Sequence, residues 1–138
     1  MFSIECNNRI YGRGLNPWNR DRTCGSSSGG EAGLIAARCS PIGISSDSLG
    51  SIRLPAAFCG VFGFKPTAGR FTLRGITGLN KYLRIKRQIV KSAFGPIARS
   101  VDDLILFTKY LFEKYNQEVD PSIPPAPLKT EKISVNPG

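Results

Sequence analysis

Apolar side chains recur at helical spacing most clearly after Ser100, where Val101, Leu104, Ile105, Leu111, Phe112 and Tyr115 form one wide stripe. A stripe of that width is buried when the segment coils as a helix against a core. Ser100-x-x-Asp103 marks its start, because a serine hydroxyl accepts a backbone N–H that the first helical turn leaves without a partner. Upstream the pattern is shorter and broken by turns. It predicts a loop from Met1 to Ser28, a helix over about 30–38, a strand from Ile42 to Ser45, and a helix from about Ile52 to Phe58 stopped by Gly60. Val61 to Phe64 predicts a strand, and Lys65-Pro66-Thr67-Ala68-Gly69-Arg70 a loop rich in breakers.

After Tyr115 the composition turns polar, with prolines at 121, 124, 125, 127 and 137, which predicts an extended connector over 116–138. The net charge is +9, and its source is local: no Asp or Glu occurs between Ser48 and Val101, whereas ten Lys or Arg do. The densest run, Lys81 to Lys91, suits an anionic membrane surface or a nucleic acid, while a solvated face explains it more simply. Nucleic acid is the disfavoured partner, and a membrane surface stays open. Four cysteines, Cys6, Cys24, Cys39 and Cys59, form no C-x-x-C pair and have no histidine beside them, so a zinc site is not expected and reduced, mostly buried thiols are. Neither a charged-then-apolar leader nor an apolar run of bilayer length is present, which predicts an intracellular protein, cytoplasmic or peripherally attached to a membrane.

Candidate chemistry sits in two serine-glycine loops, Cys24-Gly25-Ser26-Ser27-Ser28-Gly29-Gly30-Glu31 and Ser46-Asp47-Ser48-Leu49-Gly50-Ser51-Ile52-Arg53. A serine hydroxyl becomes a nucleophile only when a base takes its proton, and this chain contains no histidine. Gly25-x-Ser27-x-Gly29 therefore cannot serve as the nucleophile elbow of a Ser-His-acid triad. No serine is followed three residues later by lysine, which excludes the serine-lysine arrangement of β-lactamases. A serine-serine-lysine scheme remains, or no catalysis.

The stretch CGSSSGGEAGLIAARCSPIGISSDSLGSIRLPAAFCGVFGFKPT resembles the signature of the amidase signature family, and within it the fatty-acid-amide-hydrolase-like members. The likeness is densest over residues 24–69 and extends loosely from Asn7 to Leu104. It implies an α/β fold: part of a single α/β/α sandwich with a mixed sheet, truncated, with a partial amidase domain over 1–115. It also implies hydrolysis of amides, sometimes esters, without a cofactor. In that reading Ser51 is the nucleophile, and Ser27, held by a cis peptide bond, shuttles its proton to a lysine. Backbone N–H groups of Ser48, Leu49, Gly50 and Ser51 form the oxyanion hole, while Ser28, Asp47 and Arg53 support the loops. The substrate would be a small amide or ester, with lipid amides suggested by the nearest members.

Three departures qualify that reading. The family's lysine lies several dozen residues before the cis serine, yet no lysine precedes Lys65 here, so a fragment of a larger amidase or a catalytically silent remnant is expected. Leu49 replaces a glycine of the turn, and a leucine at positive φ would distort the oxyanion hole. Ser26 also stands in a glycine's place. Ser28-x-x-Glu31 reads as a capping box, which gives both residues structural roles, and Asp47 is expected to brace its turn through backbone hydrogen bonds. A slice of a large sheet exposes apolar edges and faces, so the isolated chain is expected to be poorly soluble.

Overall fold

The computed structural model describes residues 5–75 and 91–130. The basic run from Lys81 to Val90 lies outside the described residues, and with it the expectation of an anionic partner.

A three-stranded antiparallel sheet organises the chain, in the order β3 (Ile42–Asp47), β5 (Ala93–Ala98), β4 (Phe62–Gly63). Strand β5 is central and was not among the predicted elements; it contains Gly95 and Pro96, residue types that strand interiors usually avoid. Both fit for physical reasons. The carbonyl of Pro96 faces the β4 side, where it accepts from Phe64 N–H at 3.0 Å, so its imide nitrogen faces that side too and the Ile44–Pro96 pairing with β3 requires no donor from it. At Gly95 a Cβ would lie 1.9 Å from the Phe64 carbonyl oxygen, so only glycine allows the chain beyond β4 to come this close.

Residues of alternating parity send their side chains to opposite faces. On one face Ile97 packs with Ala32, Ile35 and Ala36 of helix α1 (Gly29–Ala36), with Ile52, and with Cys59 of helix α2 (Arg53–Cys59). On the other, Phe94 joins Phe64, Phe71, Phe107, Leu111 and Phe112 beneath helix α3 (Val101–Tyr110). The result is a helix–sheet–helix sandwich, as expected, although the described part of its sheet is wholly antiparallel rather than mixed. A short hairpin of β1 (Asn7–Asn8) and β2 (Gly12–Arg13) interrupts the N-terminal loop.

Ser100 caps α3 as predicted, accepting the Asp103 N–H at 3.1 Å. The buried stripe is shifted from the expected one: Val101 is half exposed, and Leu104, Thr108, Leu111 and Phe112 are buried. Helical winding continues through a π-helical segment, Leu111–Tyr115, into a short helix α4 (Asn116–Val119), where an extended connector was expected. Burial of Asn116 explains the continuation, since its amide donates to Arg70 O at 2.7 Å and accepts from Thr72 N at 3.1 Å. Asp120 and Leu128 extend this attachment, the first through Thr72 Oγ1 at 3.0 Å and the second by packing on the aromatic cluster. Among the described residues no helix is long and apolar enough to cross a membrane.

Candidate active site

Two helix entrances bring the serine-glycine loops together. The first loop leads into α1 and the second, leaving β3, into α2; a hydrogen bond from Ser28 N to Ser51 O at 3.3 Å ties one to the other. Each helix is held at its far end by a polar side chain, which fixes the angle at which its loop arrives. Arg99 donates to Ile35 O at 3.2 Å and Ser40 O at 2.8 Å beyond α1. Asn16 and Trp18 donate to Phe58 O and Cys59 O, both at 2.7 Å, at the end of α2, satisfying carbonyls that helical bonding leaves free. Gly60 then turns the chain with φ 68°, as its stop signal predicted.

In the first loop the Ser26–Ser27 peptide is cis, and Ser27 is half-buried. The expected capping box does not form: Ser28 stands at the N-cap of α1 without a side-chain cap bond. Glu31 instead lays its carboxylate over Gly43 of β3, with Oε1 1.7 Å from where a Cβ would sit. Cys24 anchors the loop below. Burial, helped by the neighbouring thiols Cys6 and Cys59, pushes its pKa up to about 11, so it stays protonated at neutral pH and is a poor nucleophile.

The second loop is organised by Asp47, which is fully enclosed. Its carboxylate accepts from the backbone N–H groups of Gly50 at 2.7 Å, Ile52 at 3.1 Å and Arg53 at 3.3 Å. It also takes a two-pronged bond from Arg53, Nε at 2.9 Å and Nη2 at 3.1 Å. Burial opposes ionisation of this group, but the Arg53 guanidinium and the three N–H donors outweigh it and hold its pKa at about 2. Because Gly50 gives its N–H to Asp47, the turn keeps those of Ser48, Leu49 and Ser51 free of that carboxylate. Positive φ falls on Gly50, at 122°, and not on Leu49, whose side chain is 72% exposed; the distortion expected from leucine does not arise. Ser48 Oγ shares a 2.6 Å hydrogen bond with Ser92 Oγ, which ties the turn to the residue preceding β5.

A cleft of about 990 Å³ wraps the free edge of β3. Ser27, Ser28 and Glu31 line its polar end with Ser45 and Ser46, and Phe71, Phe94, Phe107, Tyr110 and Tyr115 its aromatic end. Ser51 is not among the lining residues; it meets the first loop through its carbonyl. Two features escaped the reading of the chain, namely the Ser45 hydroxyl and the turning of Glu31 into the cleft. The alternation of Gly43, Ser45 and Asp47 along one face of β3 was the available signal for the first.

The two serine-glycine loops thus meet at helix entrances, with the buried Asp47 pinning the second. The Amidase family model matches residues 1–136, and the chain belongs to that family. It is similar to fatty-acid amide hydrolase 1 of Sus scrofa, 42% identical over 131 residues, which are 95% of this chain and 22% of that protein. It is also similar to the vitamin D3 hydroxylase-associated protein of Gallus gallus, 44% identical over 135 residues, 95% of this chain and 27% of that one. Among solved structures, a fatty acid amide hydrolase superposes with TM-score 0.82 at 35% identity, over 93% of this chain and 22% of that chain. A bacterial aryl acylamidase of the amidase signature family gives 0.73 at 32%, over 92% and 24%. The chain thus spans about a quarter of the length of the relatives it matches, 22% and 27% of the two proteins named.

Proposed function

We propose that this chain carries the nucleophile and the proton shuttle of an amidase acting on fatty-acid amides, and that the base is a lysine outside its sequence. The observation that carries the reading is the Ser28 N–H to Ser51 O bond, which joins the two serine loops in a chain without histidine. Ser51 Oγ attacks the amide carbonyl and passes its proton to Ser27 Oγ, as Ser27 passes its own to the lysine nitrogen. Backbone N–H groups of Ser48, Leu49 and Ser51 receive the developing oxyanion charge. Collapse breaks the C–N bond while the proton returns through Ser27 to the departing nitrogen, and water then releases the acid from Ser51. Asp47 and Arg53 hold the turn in shape and do not touch the substrate. The substrate class rests on the 42% identity to a fatty-acid amide hydrolase.

Labelling by a fluorophosphonate and hydrolysis of a long-chain primary amide test this in the native polypeptide that carries the sequence. Ser51→Ala should abolish both, and Ser27→Ala should slow both by about 100-fold or more, the usual scale of proton-transfer catalysis. Full activity in Ser51→Ala would sink the assignment. A silent remnant is the alternative, favoured by the lack of a lysine among the described residues lining the cleft; it predicts no labelling of Ser51 in that polypeptide.

A further inference from the structure

The turn over residues 48–53 is gripped unevenly. Asp47 holds its second half through the N–H groups of Gly50, Ile52 and Arg53, and the Gly50 bond also fixes the peptide between Leu49 and Gly50. The peptide before it, between Ser48 and Leu49, receives none of those bonds, and the Leu49 side chain reaches out to solvent. The side chain that ties this half to the fold is Ser48, whose hydroxyl is bonded to that of Ser92 at 2.6 Å, at the short end of the range for two hydroxyls. Asp47 and Ala93 are the last pair of the β3–β5 ladder, so Ser48 and Ser92 are the next opposing positions, and their hydroxyls carry the pairing one step past the backbone bonds. Alternation puts Asp47 on the α1 and α2 face of the sheet and the two serines on the α3 face, where Phe94 follows two residues after Ser92. The turn is therefore clamped from both faces, by a carboxylate on one and a hydroxyl pair on the other.

We propose that Ser92 is a positioning residue for amide hydrolysis: by holding Ser48 Oγ it keeps the Ser48–Leu49 peptide, and so the Leu49 N–H, aimed at the developing oxyanion. Its role rests on the function proposed above, in which the N–H groups of Ser48, Leu49 and Ser51 receive that charge. An aimed donor acts on the transition state more than on the bound amide, because the charge it meets appears only as the carbonyl is attacked. Removal of the Ser92 hydroxyl leaves the Ser48 side chain free to change rotamer and the Leu49 N–H free to swing, while no group in contact with the substrate is lost. Ser92 lies 44 residues beyond Ser48 and outside the dense signature over 24–69, so no motif marks it.

The test is steady-state hydrolysis of a long-chain primary amide by the native polypeptide that carries the sequence. The rate is expressed per Ser51 titrated with a fluorophosphonate, so that misfolded molecules are not counted. Ser92→Ala should lower kcat about tenfold with KM changed less than about twofold, short of the roughly 10²–10³ that outright loss of an oxyanion donor costs. Ser92→Thr keeps a hydroxyl on a residue type that strands accept and should restore most of the rate. Ser48→Ala removes the same bond from its other end and should lower kcat by a similar factor, and the double variant should be no slower than either single one. If Ser92→Ala does not fold, Ser48→Ala decides. Unchanged kcat in the alanine variants, Ser92→Thr as slow as Ser92→Ala, a raised KM with kcat intact, or losses that multiply in the double variant would overturn the proposal. A wild type whose Ser51 takes no label and which turns over no amide would overturn the amidase function and the role of Ser92 together; a labelled, active wild type beside a fully active Ser92→Ala would overturn that role alone.

Discussion

Asp47→Asn removes the charge on which the Ser48–Arg53 turn is built, while changing the side chain's shape very little. In the folded protein the carboxylate titrates at about 2, against 3.8 for a free one, because Arg53 and three backbone N–H groups overcome the burial that opposes ionisation. A shift of that size corresponds to about 2 kcal/mol; Arg53 is 57% exposed and screened by water, so about 1–2 is the better figure. Asparagine also turns an NH₂ towards a ring of donors, leaving one or two of them unpaired at about 1–2 kcal/mol more. The variant should therefore be less stable by about 2–4 kcal/mol at neutral pH, lowering Tm by roughly 10 °C for a domain of this size. The pH dependence follows from the depressed pKa. The charge contribution is fully present above the unfolded value of 3.8 and is lost as pH falls towards the folded value of about 2. Thermal unfolding followed by circular dichroism at neutral pH and in steps down to about pH 2.5 reads it, with the gap between wild type and variant narrowing across that window. Equal Tm values at neutral pH, or a gap that stays constant down the series, would refute the reasoning.

Two glycines of the sheet should respond very differently to alanine. At Gly95 the new Cβ meets backbone, the Phe64 carbonyl oxygen at 1.9 Å, so chemical denaturation should reveal a loss of about 3 kcal/mol or more; at Gly43 it meets the movable end of Glu31, and the loss should stay under about 1 kcal/mol. Thr108→Val should raise stability by about 1 kcal/mol in the same assay, since Thr108 Oγ1 is buried at 2% exposure without a partner and valine keeps the shape of the side chain. Ser100→Ala removes the 3.1 Å bond from Asp103 N and should cost about 1 kcal/mol, with Ser100→Asp restoring most of it.

Much of the local structure was legible in the chain because its causes are local. The helix after Ser100 announces itself by a stripe and a cap, α2 by an apolar run ending at Gly60, and both serine-glycine loops by residue types that few other contexts require. The absence of histidine excludes a Ser-His-acid triad built from this chain's own residues. Strand β5 was illegible for the opposite reason. Gly95 and Pro96 are breakers on any local scale, and only the approach of Phe64 on one side and the pairing with Ile44 on the other make them the residues that fit. The short helix after Tyr115 was likewise hidden in a proline-rich segment, because what holds it is Asn116 bonded to Arg70 and Thr72, more than forty residues away in sequence.

By itself, then, the sequence determined the candidates: two serines, with an aspartate and an arginine to brace their loops, at fixed spacing in a pattern shared with amidases. Tertiary structure decided how they are used. It moved positive φ from Leu49 to Gly50, committed the Gly50 N–H to Asp47, and turned Glu31 from a helix cap into a carboxylate over Gly43. Those outcomes depend on contacts between elements distant in the chain, and the spacing of residues along one strand or helix carries no information about which neighbour will arrive on the other side.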